Sequence, residues 1–96
     1  MDVAMSPLAR RRAQQAGITP ALIAAVLEHA DLEFHISRRQ VALRLSPAGL
    51  SALRLECGFA IADRAASVVL ILVDGVVALA MRALGPPSRR HRARRR

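Results

Sequence analysis

Residues 68–81 read VVLILVDGVVALAM, two apolar runs on either side of Asp74-Gly75. Asp-Gly between apolar runs is a strong hairpin signal, because a type I′ turn needs positive φ at both central positions. The flanking Val and Ile residues favour strands over helix. The stretch therefore predicts a β-hairpin. Its expected pairs are Val73 with Val76, Leu72 with Val77, and Leu70 with Leu79.

A membrane helix is the alternative interpretation of this stretch. Residues 65–84 have the length of a bilayer span, and arginines follow them. An aspartate at the centre of a span costs about 2.5–3.5 kcal/mol, and an adjacent glycine weakens a helix by about 1 kcal/mol. We therefore expect no membrane association. The start of the chain, MDVAMSPLARRR, has no apolar signal region, so a cytoplasmic location is expected.

The hairpin strands carry no polar residues between their ends, unlike strands that alternate between core and solvent. Such strands are typical of positions buried on both faces, in the middle of a sheet or in a subunit interface. A small domain has few helices with which to cover both faces. Because uncovered apolar surface usually marks association, the hairpin also predicts a homodimer.

The residues before this hairpin predict two helices and a second hairpin. Ser6-Pro7 and Thr19-Pro20 are helix starts, because Ser or Thr caps free N–H groups and Pro fits the first helical position. Gly17 suits the left-handed turn that ends a helix. Residues 6–30 are therefore expected to form a helical hairpin. Apolar and polar residues alternate over much of residues 31–45, which predicts a β-hairpin.

A second Ser-Pro pair, Ser46-Pro47, predicts a third helix that ends at Gly58. Residues 59–66 are expected to add another helical turn or two, so the order helix, helix, strand, strand then occurs twice. It suggests a tandem repeat with units 6–45 and 46–82, although an Ala- and Leu-rich chain also gives such matches by chance. The predicted fold class is α+β, with helical hairpins packed on a four-stranded, mostly antiparallel sheet. A single domain is expected over residues 1–84.

The charges separate a nearly neutral body from a basic tail. The net charge is +8, and all 15 basic residues other than histidine are arginine. Six arginines lie in the last eight positions, which leaves nine arginines against seven acidic residues elsewhere. Gly85-Pro86-Pro87 breaks regular structure and the arginines repel one another, so residues 85–96 are expected to be disordered. Such a segment attracts phosphate backbones through counterion release.

Arginines outside the tail extend the predicted nucleic-acid surface, on the first helix and in the loop of the first hairpin. Their alternative interpretation is a solvated face. Trp and Tyr are absent, so only Phe34 and Phe59 offer a ring for base stacking. RNA is expected rather than DNA, with an acidic protein partner or anionic lipid as the alternative. The candidate nucleic-acid-binding residues are Arg10, Arg11, Arg12, Arg38, Arg39, Arg89, Arg90, Arg92, Arg94, Arg95 and Arg96.

Catalytic chemistry has few candidates in this sequence. No carboxylate pair, nucleophile motif or phosphate loop is present, and Cys57 with three separated histidines predicts neither a disulfide nor a metal site. No cofactor is expected. The weak catalytic candidates are His35, as a general acid or base, and Arg44, as one of the phosphate-binding arginines near it. An inert exposed histidine is the alternative interpretation.

The order of two helices and an antiparallel sheet resembles the RelE/ParE-type toxin superfamily. More narrowly, SPLARRRAQQAGITPALIAAVLEHAD looks like the start of a small uncharacterised domain family near those toxins, which opens with His, an Arg four residues on, and then Arg-Gly-Ile. The closing strands, ending VALAMR, are also similar, so the resemblance covers residues 6–82. The matching positions are Arg12, Gly17 and Ile18, and the departures are Leu8 for the His and Ala16 for the second Arg.

This resemblance implies mRNA cleavage on the ribosome for RelE-like members or action on gyrase for ParE-like members. The missing His, and the absence of Lys and Tyr, argue against nuclease activity here. The leading prediction is therefore a small, basic, non-catalytic RNA-binding protein. A RelE-like toxin of a toxin-antitoxin system and a structural component of a larger complex are the two alternatives.

Overall fold

The computed structural model describes residues 5–83 and Arg94–Arg95 of this chain. Helices and strands alternate in pairs along the described residues, so the order helix, helix, strand, strand occurs twice. The elements are α1 (Pro7–Gln15), α2 (Pro20–His29), β1 (Leu32–His35), β2 (Gln40–Arg44), α3 (Pro47–Cys57), α4 (Phe59–Ala65), β3 (Val68–Val73), β4 (Val76–Arg82) and β5 (Arg94–Arg95).

Three of these helices begin at the Ser-Pro or Thr-Pro pairs that the sequence singled out. The hydroxyl of Ser6 accepts a hydrogen bond from the Ala9 N–H at 3.1 Å, and that of Thr19 accepts from the Leu22 N–H at 3.2 Å. Ser46 caps α3 in the same way. Each cap satisfies one of the free N–H groups of a helix start, which confirms the three predicted boundaries.

Strands β1 to β4 form an antiparallel sheet in the order β4-β3-β2-β1. The predicted α+β class and the four-stranded sheet are therefore confirmed. The short β5 adds to the outer side of β1, where Arg94 and Arg95 pair with Glu33 and Leu32. Disorder was expected for residues 85–96. The rest of that segment lies outside the described residues.

The turn between β3 and β4 has the backbone that the sequence predicted. Asp74 and Gly75 both have positive φ, 52° and 81°, as a type I′ turn requires. Val73 pairs with Val76 and Leu72 with Val77, as expected. The expected pairing of Leu70 with Leu79 is wrong. A bulge at Ala78 shifts the register, so that Leu79 faces Ile71 and Ala80 faces Leu70.

The strand pair around this turn also decides between sheet and membrane helix. Among residues 5–83, no helix combines the length and the apolar composition that crossing a bilayer requires. Instead, β3 lies inside the sheet, between β2 and β4. β4 lies at its edge, where Met5 bridges to Val77 and the Ser6 N–H donates to the Val77 carbonyl at 3.3 Å. The edge is thus covered at its start.

The two faces of the sheet differ in what packs on them. On one face, alternate strand residues such as Leu43, Leu70 and Val77 pack with the buried side chains of the helices in the main core. We call this the helix-packed face. On the opposite face, a smaller cluster contains Phe34, Ala42 and Val69, with Leu32, Ile71 and Ala83 beside it. The described helices therefore pack on one face of the sheet, and the cluster on the second face consists of residues from the strands and from the end of β4.

His29 connects α2 to α3. Its Nδ1 lies 3.1 Å from the Ala25 carbonyl oxygen and its Nε2 lies 2.5 Å from Glu56 Oε2. Both partners are acceptors, so only the doubly protonated ring donates to both. Burial lowers the pKa of His29, but the hydrogen bonds to Ala25 and Glu56 outweigh it, and the net effect is a raised pKa.

We expect the contribution of His29 to stability to be fully present below the unfolded pKa of about 6.5 and to be lost as pH rises through the higher folded pKa. The free energy of unfolding of wild type minus that of His29→Gln should therefore be larger at pH 5.5 than at pH 8.5. Urea unfolding at the two pH values measures this difference. Glu56→Gln should likewise make the free energy of unfolding depend less on pH in this range than it does in wild type. A wild-type minus His29→Gln difference that is larger at pH 8.5 than at pH 5.5 would contradict the raised pKa of His29.

Candidate nucleic-acid interface

The first helix presents three consecutive arginines to solvent. Ala9 and Ala13 are buried on the inner side of α1, whereas Arg10, Arg11 and Arg12 are exposed. Successive residues of a helix point about 100° apart, so the three guanidinium groups fan across the outer surface. The helix, PLARRRAQQ, contains no acidic residue, and none of the three arginines forms an ion pair with another described residue. We call this surface the basic helix face.

A second group of charges surrounds an open pocket of about 280 Å³ where the β1–β2 loop meets the β3–β4 turn. Its apolar floor belongs to strands β2 and β3 on the helix-packed face. Its rim carries two arginines and two acids. The lining residues are Glu33, Arg38, Arg39, Val41, Leu43, Leu72, Asp74 and Gly75.

The two arginines of the pocket differ in their partners. Arg39 Nε donates to Asp74 Oδ2 at 2.9 Å, and its Nη2 contacts the same oxygen. This hydrogen bond raises the pKa of Arg39. Arg38 is exposed and forms no ion pair with another described residue. Arg38 is therefore the cation of this pocket that is available to an anionic ligand.

His35 and Arg44 lie on opposite faces of the sheet. His35 is on the helix-packed face beside the pocket, with its Nε2 3.5 Å from Glu33 Oε1. Arg44 is buried on the other face, where its Nη2 lies 3.5 Å from the Ala66 carbonyl oxygen, and burial lowers its pKa. His35 pairs with Val41 and Leu32 with Arg44, so three residues, about 10 Å of strand, also separate them. The two candidates do not meet.

The structure does not bring all the candidate arginines together. α1 packs against β4, whereas Arg38 and Arg39 lie in the β1–β2 loop, where Arg39 contacts Asp74 of the β3–β4 turn. Gln40, the residue after Arg39, begins β2, and two inter-strand steps of about 4.8 Å separate β2 from β4. Of the tail, Arg94 and Arg95 lie beside β1 as backbone positions. Outside the described residues lie Arg89, Arg90, Arg92 and Arg96.

Arg54 and Phe59 form a contact that the sequence did not predict. The Arg54 guanidinium carbon lies 5.0 Å from the centroid of the Phe59 ring, within the range of a cation–π interaction. The sequence named Phe59 as a possible stacking ring but gave no reason to pair it with Arg54. The residue that could have indicated this contact is Gly58, which has φ 91° and both ends α3 and starts α4.

The chain matches no protein family, no curated protein and no solved structure. The resemblance to RelE/ParE-type toxins therefore rests on the quoted residues alone and stays a prediction. Among residues 5–83, no group of three or more His, Cys, Asp or Glu side chains is placed to hold a metal ion.

Proposed function

We propose that this chain is a small non-catalytic nucleic-acid-binding protein that contacts RNA through its arginines. The observation that carries the proposal is the basic helix face, where Arg10, Arg11 and Arg12 are exposed together on a helix without acids. Arginine donates up to five N–H groups in a fork that matches phosphate oxygens. Phosphate contacts of this kind release counterions and need no specific sequence.

Arg38 supports the same proposal from a second place on the surface. It is exposed and forms no ion pair within the described part of the chain, whereas its neighbour Arg39 is engaged by Asp74. A strand of RNA that reaches from the basic helix face, over β4, to Arg38, beside β2, must extend over two inter-strand steps, or about 10 Å. Several phosphates along a single strand would then share the interaction. The affinity should accordingly depend steeply on salt.

We also propose, as the sequence predicted, that the protein is cytoplasmic and forms a homodimer. Of the six large apolar side chains that are exposed in the described part of the chain, Val76 and Met81 lie on the edge strand β4. An edge strand that exposes apolar side chains is a surface on which a second copy can associate. An acidic protein partner, and a role as a component of a larger complex, are the alternatives. In either alternative, the isolated chain would bind RNA weakly.

The central test removes the basic helix face. In the variant with Arg10→Gln, Arg11→Gln and Arg12→Gln, we expect affinity for a 12-nucleotide single-stranded RNA to fall roughly 10- to 100-fold at low salt, because up to three phosphate contacts are lost. The slope of log K against log salt should become shallower by about 2, at about 0.7 per phosphate of a single strand. Fluorescence anisotropy over a salt series measures both quantities.

Matched controls separate charge from damage to the helix. The variant with lysine at positions 10–12 keeps the charge and should keep the salt slope. Single substitutions Arg11→Gln and Arg64→Gln each remove one exposed charge, and only the first should weaken binding appreciably. An unchanged slope in the triple glutamine variant would contradict the basic helix face as the site. Absence of RNA binding by the wild type would overturn the proposed function.

The same samples test the ribonuclease alternative. His35 has Glu33 beside it and Arg38 at the same pocket, but it lies across the sheet from Arg44. If the RNA stays intact during the binding measurement, the non-catalytic proposal stands. Cleavage by the wild type that disappears in His35→Ala would replace it with the toxin-like function. A DNA oligonucleotide of the same sequence tests the expected preference for RNA.

A further inference from the structure

One of the two phenylalanine rings of this protein is open to a ligand. The whole sequence contains two Phe, no Trp and no Tyr. Phe34 is 6% exposed and belongs to the smaller cluster on the sheet, whereas Phe59 is 69% exposed. Of the two phenylalanine rings, Phe59 is therefore the one on which a nucleic-acid base can stack.

The Phe59 ring is held by a charged neighbour rather than by the core. Gly58 adopts φ 91°, a conformation that side-chain-bearing residues rarely reach, and α4 starts directly after it at Phe59. This reversal returns the ring to the last turn of α3, where the Arg54 guanidinium carbon lies 5.0 Å from its centroid. Since most of the ring remains exposed, the side away from Arg54 is accessible.

The surface around the ring combines apolar area with positive charge. Leu55, next to Arg54 in α3, is 90% exposed and adds apolar surface at the same corner of the molecule. Arg54 forms no ion pair with another described residue. Of the nearby acids, Glu56 is bound to His29, and Asp63, on the same side of α4 as Phe59, forms no ion pair with Arg54. An exposed ring with an unneutralised cation on one face suits a ligand that carries both a flat base and a phosphate.

From this arrangement we infer that Phe59 is a stacking platform for an unpaired base of single-stranded RNA, with Arg54 orienting the ring and attracting the adjacent phosphate. Bases stack on aromatic rings without strong sequence preference, and guanidinium planes take part in the same way. The inference rests on the proposed function, because it adds a base contact to an interface that otherwise reads phosphates alone. A duplex, whose bases are already stacked, should gain nothing from this site.

The test compares a ligand with bases to a ligand without them. The two probes are a 12-nucleotide oligo(A) RNA and inorganic polyphosphate of similar charge. In Phe59→Leu, which keeps apolar bulk but removes the ring, we expect affinity for oligo(A) to fall on the order of 10-fold. Affinity for polyphosphate should be unchanged. Phe59→Trp should bind oligo(A) at least as well as wild type, and Arg54→Gln should weaken both probes.

Phe59→Trp also provides a direct signal, since the chain contains no other Trp. Its fluorescence should be quenched by oligo(A) and not by polyphosphate. Met81→Trp, on the sheet face opposite the helices and away from the basic helix face, is the control and should show no such difference between the two probes. The Trp signal remains available even if Phe59→Leu fails to fold, which circular dichroism would reveal.

The outcomes distinguish this inference from the proposed function. If wild type binds both probes and Phe59→Leu binds oligo(A) equally well, the stacking site is overturned while phosphate binding stands. If wild type binds neither probe near physiological salt, both proposals fall. If Phe59→Leu instead lowers the measured mass of the protein in sedimentation, the surface is a contact with a second copy, and the stacking assignment is wrong.

Discussion

Leu53→Ala is expected to destabilise the domain by about 2–5 kcal/mol, the usual range for truncating a fully buried leucine. Leu53 is 0% exposed and lies in the middle of α3, in the core that all four helices share with the sheet. Truncation removes apolar contacts and leaves a cavity that the surrounding helices fill only in part. A shift of the urea unfolding midpoint without a change in slope measures this loss.

Leu55→Ala is the matched control for this prediction. It is the same substitution two residues further along the same helix, but Leu55 is 90% exposed. We expect a change within about 0.5 kcal/mol, because little apolar area leaves the core. If Leu53→Ala does not fold, Leu53→Met keeps the volume and should cost less than about 1.5 kcal/mol. Equal effects of the two alanine substitutions would contradict the described orientation of α3.

The features that could be predicted from the sequence are those fixed by neighbours in the chain. Asp74-Gly75 forms its turn because both residues tolerate positive φ, and this preference belongs to the dipeptide. Ser6, Thr19 and Ser46 cap their helices because hydroxyl and N–H lie three residues apart. Such local signals locate the helices and strands, and their order is enough to indicate the α+β class.

The bulge at Ala78 depends instead on packing between distant segments. Val77 and Ala80 are both buried in the main core, although they are three positions apart and strict alternation would place them on opposite faces. Because Ala78 is an extra residue in β4, Val77 and Ala80 both point to the helix-packed face. The bulge is stabilised by the helices that cover this face, so the sequence of β4 alone does not predict it.

The candidate site shows the same division. Exposure of Arg10, Arg11 and Arg12 follows from the amphipathic pattern of α1, in which Ala9 and Ala13 face inward. The separation of His35 from Arg44 follows from strand register, which the sequence left undetermined. The contact of Arg54 with Phe59 depends on the backbone of Gly58, and a glycine that ends a helix does not by itself fix where the next helix begins.

Asp31→Ala is expected to cost about 2–3 kcal/mol, more than the loss of an ordinary helix cap. Asp31 Oδ1 accepts from the Ser46 N–H at 2.7 Å, and its Oδ2 accepts from the Ser46 hydroxyl. That hydroxyl in turn accepts from the Gly49 N–H at 3.2 Å. The Asp31 carboxylate therefore holds in place the Ser46 side chain that caps α3. Since Ser46 is buried, alanine at position 31 leaves its donors without these acceptors.

Thr19→Ala is the control, because it removes a cap that has no described carboxylate behind it and should cost about 1 kcal/mol. Asp31→Asn keeps one acceptor oxygen, and its loss of stability should fall between those of Asp31→Ala and Thr19→Ala.

Gly49→Ala tests the same site by crowding the Asp31 carboxylate. A Cβ at position 49 would lie 2.8 Å from Asp31 Oδ1, so the substitution should destabilise although alanine is favoured over glycine within helices. Thermal unfolding of the four variants measures these effects. If Gly49→Ala raises the melting temperature, or if Asp31→Ala costs no more than Thr19→Ala, the carboxylate does not support α3.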